Sequence, residues 1–207
     1  MLASAKLQRA LMLILLALVA AIVFVVVNDR GPGGTGKAAQ PEFDGGTMPA
    51  HLRAPDFTLT DQNGHRVSLA ADRGKVVVLT FIHSLCHDTC PFMVEQIKGA
   101  LNDLPHNGAN VPAIGVSAAQ AEDTPKNRKA FLAKHEMTGR LEFVNGSLAQ
   151  MRRIWREWHI QPVTPKVDHS TFVLLIDKRG YERVGFPADQ LTPEGLAHDI
   201  RVLERQS

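Results

Sequence analysis

The chain has 207 residues, 44% of them hydrophobic and 21% charged, with a formal net charge of only +2. That length carries one domain of about 150 residues plus accessory segments, enough to bury a core. Basic residues are scattered, and the densest group, Arg152, Arg153 and Arg156, reads as the solvated face of a helix, so no nucleic-acid partner is expected.

The first element is an uncharged apolar run from Leu11 to Val27, preceded by Lys6 and Arg9. It lies at the lower edge of the about 17–25 residues that span a bilayer, and it exceeds the apolar core of a cleaved signal. No small-residue cleavage site closes it. The expected organisation is a cytoplasmic N-terminus over 1–10, a signal anchor over 11–27 and an exported remainder, the orientation following from the basic residues before the run. Residues 28–54 are rich in Gly, Pro and polar residues and read as a flexible linker reaching roughly 30 Å. Within it, Gly31 to Lys37 fits part of a phosphate-binding loop, but Ala38 stands where Ser or Thr is required and no strand–helix context surrounds it.

From residue 55 to about 205 short strands alternate with helices. Phe57–Thr60 and Arg66–Leu69 flank Asn63-Gly64, a hairpin signal. Val76–Ile82 is a continuous β-branched and apolar run, the mark of a strand buried on both faces. Val94, Ile97, Leu101 and Leu104 recur at helical spacing, so a helix runs from about Cys90 to Leu104. A core strand over 111–117 follows, then a helix opened by Thr124-Pro125 and a strand over 141–144. The next helix is marked by Leu148, Met151, Ile154, Trp155 and Trp158. Strands over 171–177 and 182–185 come next, and Thr192-Pro193 opens the last helix. This alternation predicts an α/β domain with a thioredoxin-like mixed sheet flanked by helices.

The chemistry concentrates where the buried strand meets the first helix. Cys86 and Cys90 are the only cysteines. One close pair at such a junction suits metal binding or reversible dithiol chemistry better than a disulfide framework. Asp88 or Thr89 is the expected helix cap, Pro91 fits the first turn, Cys86 lies in the loop and Cys90 at the helix start. The positive end of the helix favours thiolate, which raises both nucleophilicity and affinity for Cu(I) or Zn(II). Two thiolates leave a metal short of ligands. Among nine histidines, His169 precedes the core strand over 171–177.

The segments Ala54–Asp61, Gly74–Val78, Cys86-His87-Asp88-Thr89-Cys90-Pro91, Asp123-Thr124-Pro125 and Asp168–Phe172 resemble, in order and spacing, the Sco/SenC family over about residues 54–205. The resemblance implies a membrane-tethered, thioredoxin-fold copper protein on the exported side. Such a protein delivers copper to, or reduces the cysteines of, the binuclear copper site of cytochrome c oxidase. Its implied partners are that oxidase subunit and other copper chaperones, and its implied ligands are Cys86, Cys90 and His169. The alternative function is a thiol:disulfide oxidoreductase in which Cys86 attacks and Cys90 resolves. The chain departs from the family pattern at His87, where proline is usual, at Leu85 and His83, and at Ala119-Gln120, where an Asp-Pro pair often stands. His83 and His87 are imidazoles beside the site, as alternative ligands or as exposed loop residues. Met93 is read as core in preference to a weak axial ligand. Asn145-Gly146-Ser147 fits a glycosylation acceptor.

Overall fold

The computed structural model describes residues 12–24, 42–163 and 170–206. Residues 12–24 form helix α1, with its apolar side chains exposed. It belongs to a unit separate from the one beginning at Pro41. At about 1.5 Å per residue its described part is ~20 Å long, and among the described residues no helix is long and apolar enough to cross a membrane. The remainder of the expected anchor, Leu11 and residues 25–27, lies outside the described residues, as do 1–10 and 28–41.

The second unit is built on a six-stranded sheet ordered β1-β8-β7-β4-β5-β6. Its strands are β1 (Gly46–Thr47), β4 (Val77–Ile82), β5 (Ala113–Ser117), β6 (Glu142–Val144), β7 (Phe172–Ile176) and β8 (Glu182–Pro187). A hairpin of β2 (Thr58–Thr60) and β3 (Arg66–Ser68) forms a separate two-stranded sheet. β4, β5 and β6 are parallel, while β7 and β8 return antiparallel. β4 is central and every one of its residues is buried, as its unbroken apolar run predicts. Val78 and Ile82 point into one core, and Val77, Leu79 and Phe81 into the other.

The first core is closed by α2 (Thr89–Asn102), α3 (Pro125–Lys134) and α5 (Pro193–Arg205), the second by α4 (Leu148–Glu157) and the hairpin. The sequence-level starts of α3 and α5 hold: Thr124 accepts from the Asn127 N–H at 3.2 Å and Thr192 from the Gly195 N–H at 3.1 Å. Ser147 and Gln150 close a capping box on α4. Together these layers are the predicted thioredoxin-like α/β arrangement.

The expected linker boundary is corrected. Residues 42–54 pack on the domain: Phe43 is buried, and β1 pairs with β8 through Gly46↔Gly185 and Thr47↔Val184. The fully buried Asp199 carboxylate of α5 accepts the Asp44 N–H at 2.8 Å and the Gly45 N–H at 2.9 Å. A Gly-rich composition reads as linker, yet here glycine admits close packing. A Cβ on Gly45 would stand 2.5 Å from Val184 Cγ1.

One irregularity matters later. Between Leu175 and Ile176 the β7–β8 register slips, so that Ile176 faces Glu182 and Arg183 is left as the extra residue of a bulge. Glu182 thereby shares the face of Ile176 and Leu174, toward α4.

Candidate metal centre

β4 ends at Ile82 and α2 begins at Thr89, so the intervening loop carries Cys86 at the sheet's carboxyl edge. Cys86 is half-buried against the first core. Cys90, second residue of α2, is completely buried, and its Sγ accepts the backbone N–H of His83 at 3.4 Å. A sulfur held at a helix N-terminus and facing an N–H donor is stabilised as thiolate. The two cysteines thus sit as the sequence reading expects, one in the loop and one in the first turn.

The expected cap does not form. Asp88 occupies the N-cap position, at φ −125° and ψ −91°, without a side-chain cap hydrogen bond, and Thr89 is already the first helical residue. The first turn of α2 is therefore not capped by the Asp88 side chain.

The loop is fixed from a distance by Asp123, fully buried before α3. Its carboxylate accepts the Ser84 N–H at 2.7 Å, the Ser117 hydroxyl at 2.6 Å and the Ala119 N–H at 3.3 Å. Asp123 therefore ties the loop two residues before Cys86 to the end of β5. In the sequence Asp123 is visible only as part of a motif, because a clamp across 39 positions leaves no local pattern. Gln120, in the stretch that departs from the family pattern, accepts with its carbonyl from the Asn145 amide at 2.9 Å.

Of the two readings of the extra imidazoles, that of an exposed loop residue does not hold for His83. Its side chain is buried and its Nε2 lies 2.9 Å from the exposed Glu122 carboxylate. His87 is exposed. Met93 is buried in the core, with the Thr80 hydroxyl at 4.0 Å from its sulfur. Asn145 is buried and its amide donates to the Gln120 and Asp123 carbonyls, so the glycosylation motif is structural.

His169 lies outside the described residues. The chain on either side of it is anchored at the cysteine end of the sheet. The Val163 N–H donates to the Ala118 carbonyl at 3.0 Å, and the Ala118 N–H donates to Ile82 at 2.9 Å. Gln161 and Ser170 exchange hydrogen bonds at 3.1 and 3.2 Å, and the Thr80 hydroxyl donates to the Phe172 carbonyl at 2.8 Å. An open cleft of about 460 Å³ lined by Asp88, Thr89, Phe92 and Thr171 separates this edge from the start of α2.

Among the described residues one other group has metal-ligand spacing: Asp44, His198 and Asp199, within 4.8 Å of one another. Both Asp199 oxygens are already engaged by the Asp44 and Gly45 N–H groups, and His198 Nδ1 lies 2.9 Å from one of them. That cluster is the clasp of the N-terminal segment.

A thioredoxin-like sheet with one cysteine in the loop before its first domain helix and a second in that helix's first turn defines a dithiol protein of the thioredoxin-like class. The SCO1/SenC family model matches residues 46–204, and the chain belongs to that family. Protein SenC of Rhodobacter capsulatus is 28% identical over 195 residues, covering 89% of this chain and 87% of its own length. The structure of Bradyrhizobium japonicum ScoI with copper bound superposes with a TM-score of 0.64 at 27% identity, over 73% of this chain and 99% of that one. BsSco, described as a member of the Sco family of cytochrome c oxidase assembly proteins, shares the fold at a TM-score of 0.66 and 22% identity, over 78% of this chain and 98% of its own. The chain spans about half the length of the Schizosaccharomyces pombe and Saccharomyces cerevisiae relatives it matches.

Proposed function

We propose that this chain is a membrane-tethered copper metallochaperone whose cargo is held by Cys86, Cys90 and His169. Its acceptor is the binuclear copper site of cytochrome c oxidase, to which it delivers copper or whose thiols it prepares. The observation that carries the reading is the arrangement of the pair: a buried Cys90 sulfur in the first turn of α2, facing the His83 N–H, with half-buried Cys86 in the loop before it. Two soft thiolates match Cu(I), and an imidazole completes a three-ligand set. Family membership and the copper-bound ScoI support copper as the metal. The anchoring of Val163 and Ser170 at the cysteine edge supports His169 as the third ligand. The apolar run 11–27 supports the tether, with the domain on the exported side.

Transfer proceeds by ligand exchange. Cys86 is the accessible sulfur and Cys90 the buried one, so an incoming acceptor thiolate displaces Cys86 first and Cys90 last. Anaerobic titration of the reduced full chain with Cu(I), against a competing chelator, tests the ligand set. One ion per chain is expected, with affinity collapsing in Cys86→Ser and Cys90→Ser and falling in His169→Ala. Binding unchanged by Cys86→Ser and His169→Ala overturns the assignment.

The same asymmetry of exposure supports a second reading, a thiol:disulfide oxidoreductase. The Cys86 thiolate attacks a substrate disulfide and expels one substrate thiolate. Cys90 then attacks the mixed disulfide, so the substrate gains two thiols while the pair becomes a disulfide. Catalytic disulfide reduction by metal-free protein, with weak copper binding, selects this reading over the first.

A further inference from the structure

The face of β8 that looks toward α4 carries a buried carboxylate beside a glycine. On it the bulge at Arg183 turns Glu182 inward, and the next position on that face is Gly185, opposite Leu174, with no side chain to fill the space. A groove of about 610 Å³ results, within the roughly 300–1,000 Å³ typical of small-molecule sites. One wall is Met48 and Leu52 from the N-terminal segment, and the other is Trp158 and Phe172. The lining is mainly apolar, and of its charged residues, Arg53, Glu157 and Glu182, only Glu182 is buried. Glu182 is 8% exposed; its backbone N–H donates to the Leu52 carbonyl at 2.8 Å, but its carboxylate makes no hydrogen bond or ion pair among the described residues. The Trp158 indole N–H, also buried, has no acceptor.

A largely buried carboxylate without a partner is costly to ionise, and it is relieved either by keeping its proton or by receiving a cation. We infer that this groove binds a small apolar cation, an amine carried on a hydrocarbon body, with the ammonium received by Glu182 and the hydrocarbon laid over Gly185. The charged neighbours leave that role to Glu182. Arg53 lies over the Tyr181 ring at 5.2 Å, Glu157 is exposed and paired with Arg153 at 3.8 Å, and His159 is exposed. A metal is a poorer fit, because Glu182, Glu157 and His159, which line the groove, do not come within ligand reach of one another as a group of three among the described residues. Burial pushes the Glu182 carboxyl up to about 7, so at neutral pH an ammonium binds with release of a proton. The site uses none of the proposed copper ligands, and Cys86→Ser leaves it intact.

The test is equilibrium dialysis of octylammonium against the full chain in lipid nanodiscs, with empty nanodiscs as the blank and octanol as the neutral isostere. One saturable site is expected, with octanol at least about tenfold weaker. Glu182→Gln removes that preference while leaving octanol binding unchanged, and Gly185→Leu fills the groove and abolishes both. Below pH 7 the octylammonium affinity falls about tenfold per unit, since the proton competes for the carboxylate; above it the affinity is flat. His159→Gln keeps that profile. Glu182→Gln is near-isosteric, so it reports even if Gly185→Leu fails to fold. Equal binding of octanol and octylammonium, an unchanged preference in Glu182→Gln, or the absence of a saturable site overturns the proposal.

Discussion

Replacing Asp123 tests whether a buried carboxylate holds the cysteine loop. In Asp123→Ala three donors lose their acceptor: the Ser84 N–H, the Ser117 hydroxyl and the Ala119 N–H. Hydrogen bonds to a charged group contribute about 1.5–3 kcal/mol each, and an orphaned buried donor costs about 1–3 kcal/mol. The Ser117 hydroxyl can rotate to another acceptor and the Ala119 contact is long at 3.3 Å, so the loss is nearer two strong bonds than three, about 3–5 kcal/mol. Asp123→Asn keeps the shape. Its oxygen can serve Ser84 while its amide donates to the Ser117 hydroxyl, which leaves a cost of about 1–2 kcal/mol. Urea unfolding followed by tryptophan fluorescence reads both, and thermal melts should fall by about 2–4 °C per kcal/mol for a chain of this size. The loop itself is read by the alkylation rate of Cys86, which should rise in Asp123→Ala under conditions where the protein stays folded. An Asp123→Ala protein within about 0.5 kcal/mol of the parent refutes the clamp. A destabilised protein with unchanged Cys86 alkylation shows that Asp123 supports the fold without ordering the cysteines.

Gly45→Ala places a Cβ 2.5 Å from Val184 and 2.7 Å from the Phe186 ring, and overpacking of this kind costs about 1–3 kcal/mol. A neutral result in denaturant would return residues 42–47 to the linker. Glu182 makes stability pH-dependent. Its folded pKa is raised from 4.5 to about 7, so the folded state keeps a proton that the unfolded chain has released. Stability therefore falls as pH rises from about 4.5 to about 7 and is flat above; at about 1.4 kcal/mol per pKa unit the total is on the order of 3 kcal/mol. Glu182→Gln lacks this slope, and parallel stability–pH curves for the two proteins would contradict it. Iodoacetamide should modify Cys86 before Cys90, because Cys90 is 0% exposed; peptide mapping of partly alkylated reduced protein shows the order, and equal rates would count against Cys86 as the exchanging ligand.

What could be read without coordinates was whatever repeats locally. Val77–Ile82 declares a doubly buried strand by composition, and Thr124-Pro125 and Thr192-Pro193 declare helix starts by chemistry that acts within one turn. The contacts that escaped are polar and distant: Asp199 holding the backbone of Asp44 and Gly45, Asp123 holding Ser84, and a bulge that rotates Glu182 onto an apolar face. A carboxylate on a strand or helix looks the same in sequence whether it meets water or a backbone N–H from another part of the chain. The start of α2 is the exception, because there the local capping rule does not hold. Asp88 stands at the N-cap position with a good capping side chain, yet the cap is not made, and the backbone there leaves the ordinary capping conformation. A capping carboxylate would satisfy an N–H of the first turn and set a negative charge beside Cys90, and both effects raise the thiol pKa. A helix start without that bond leaves its positive end to sulfur, so the departure from the local rule falls where thiolate chemistry requires it.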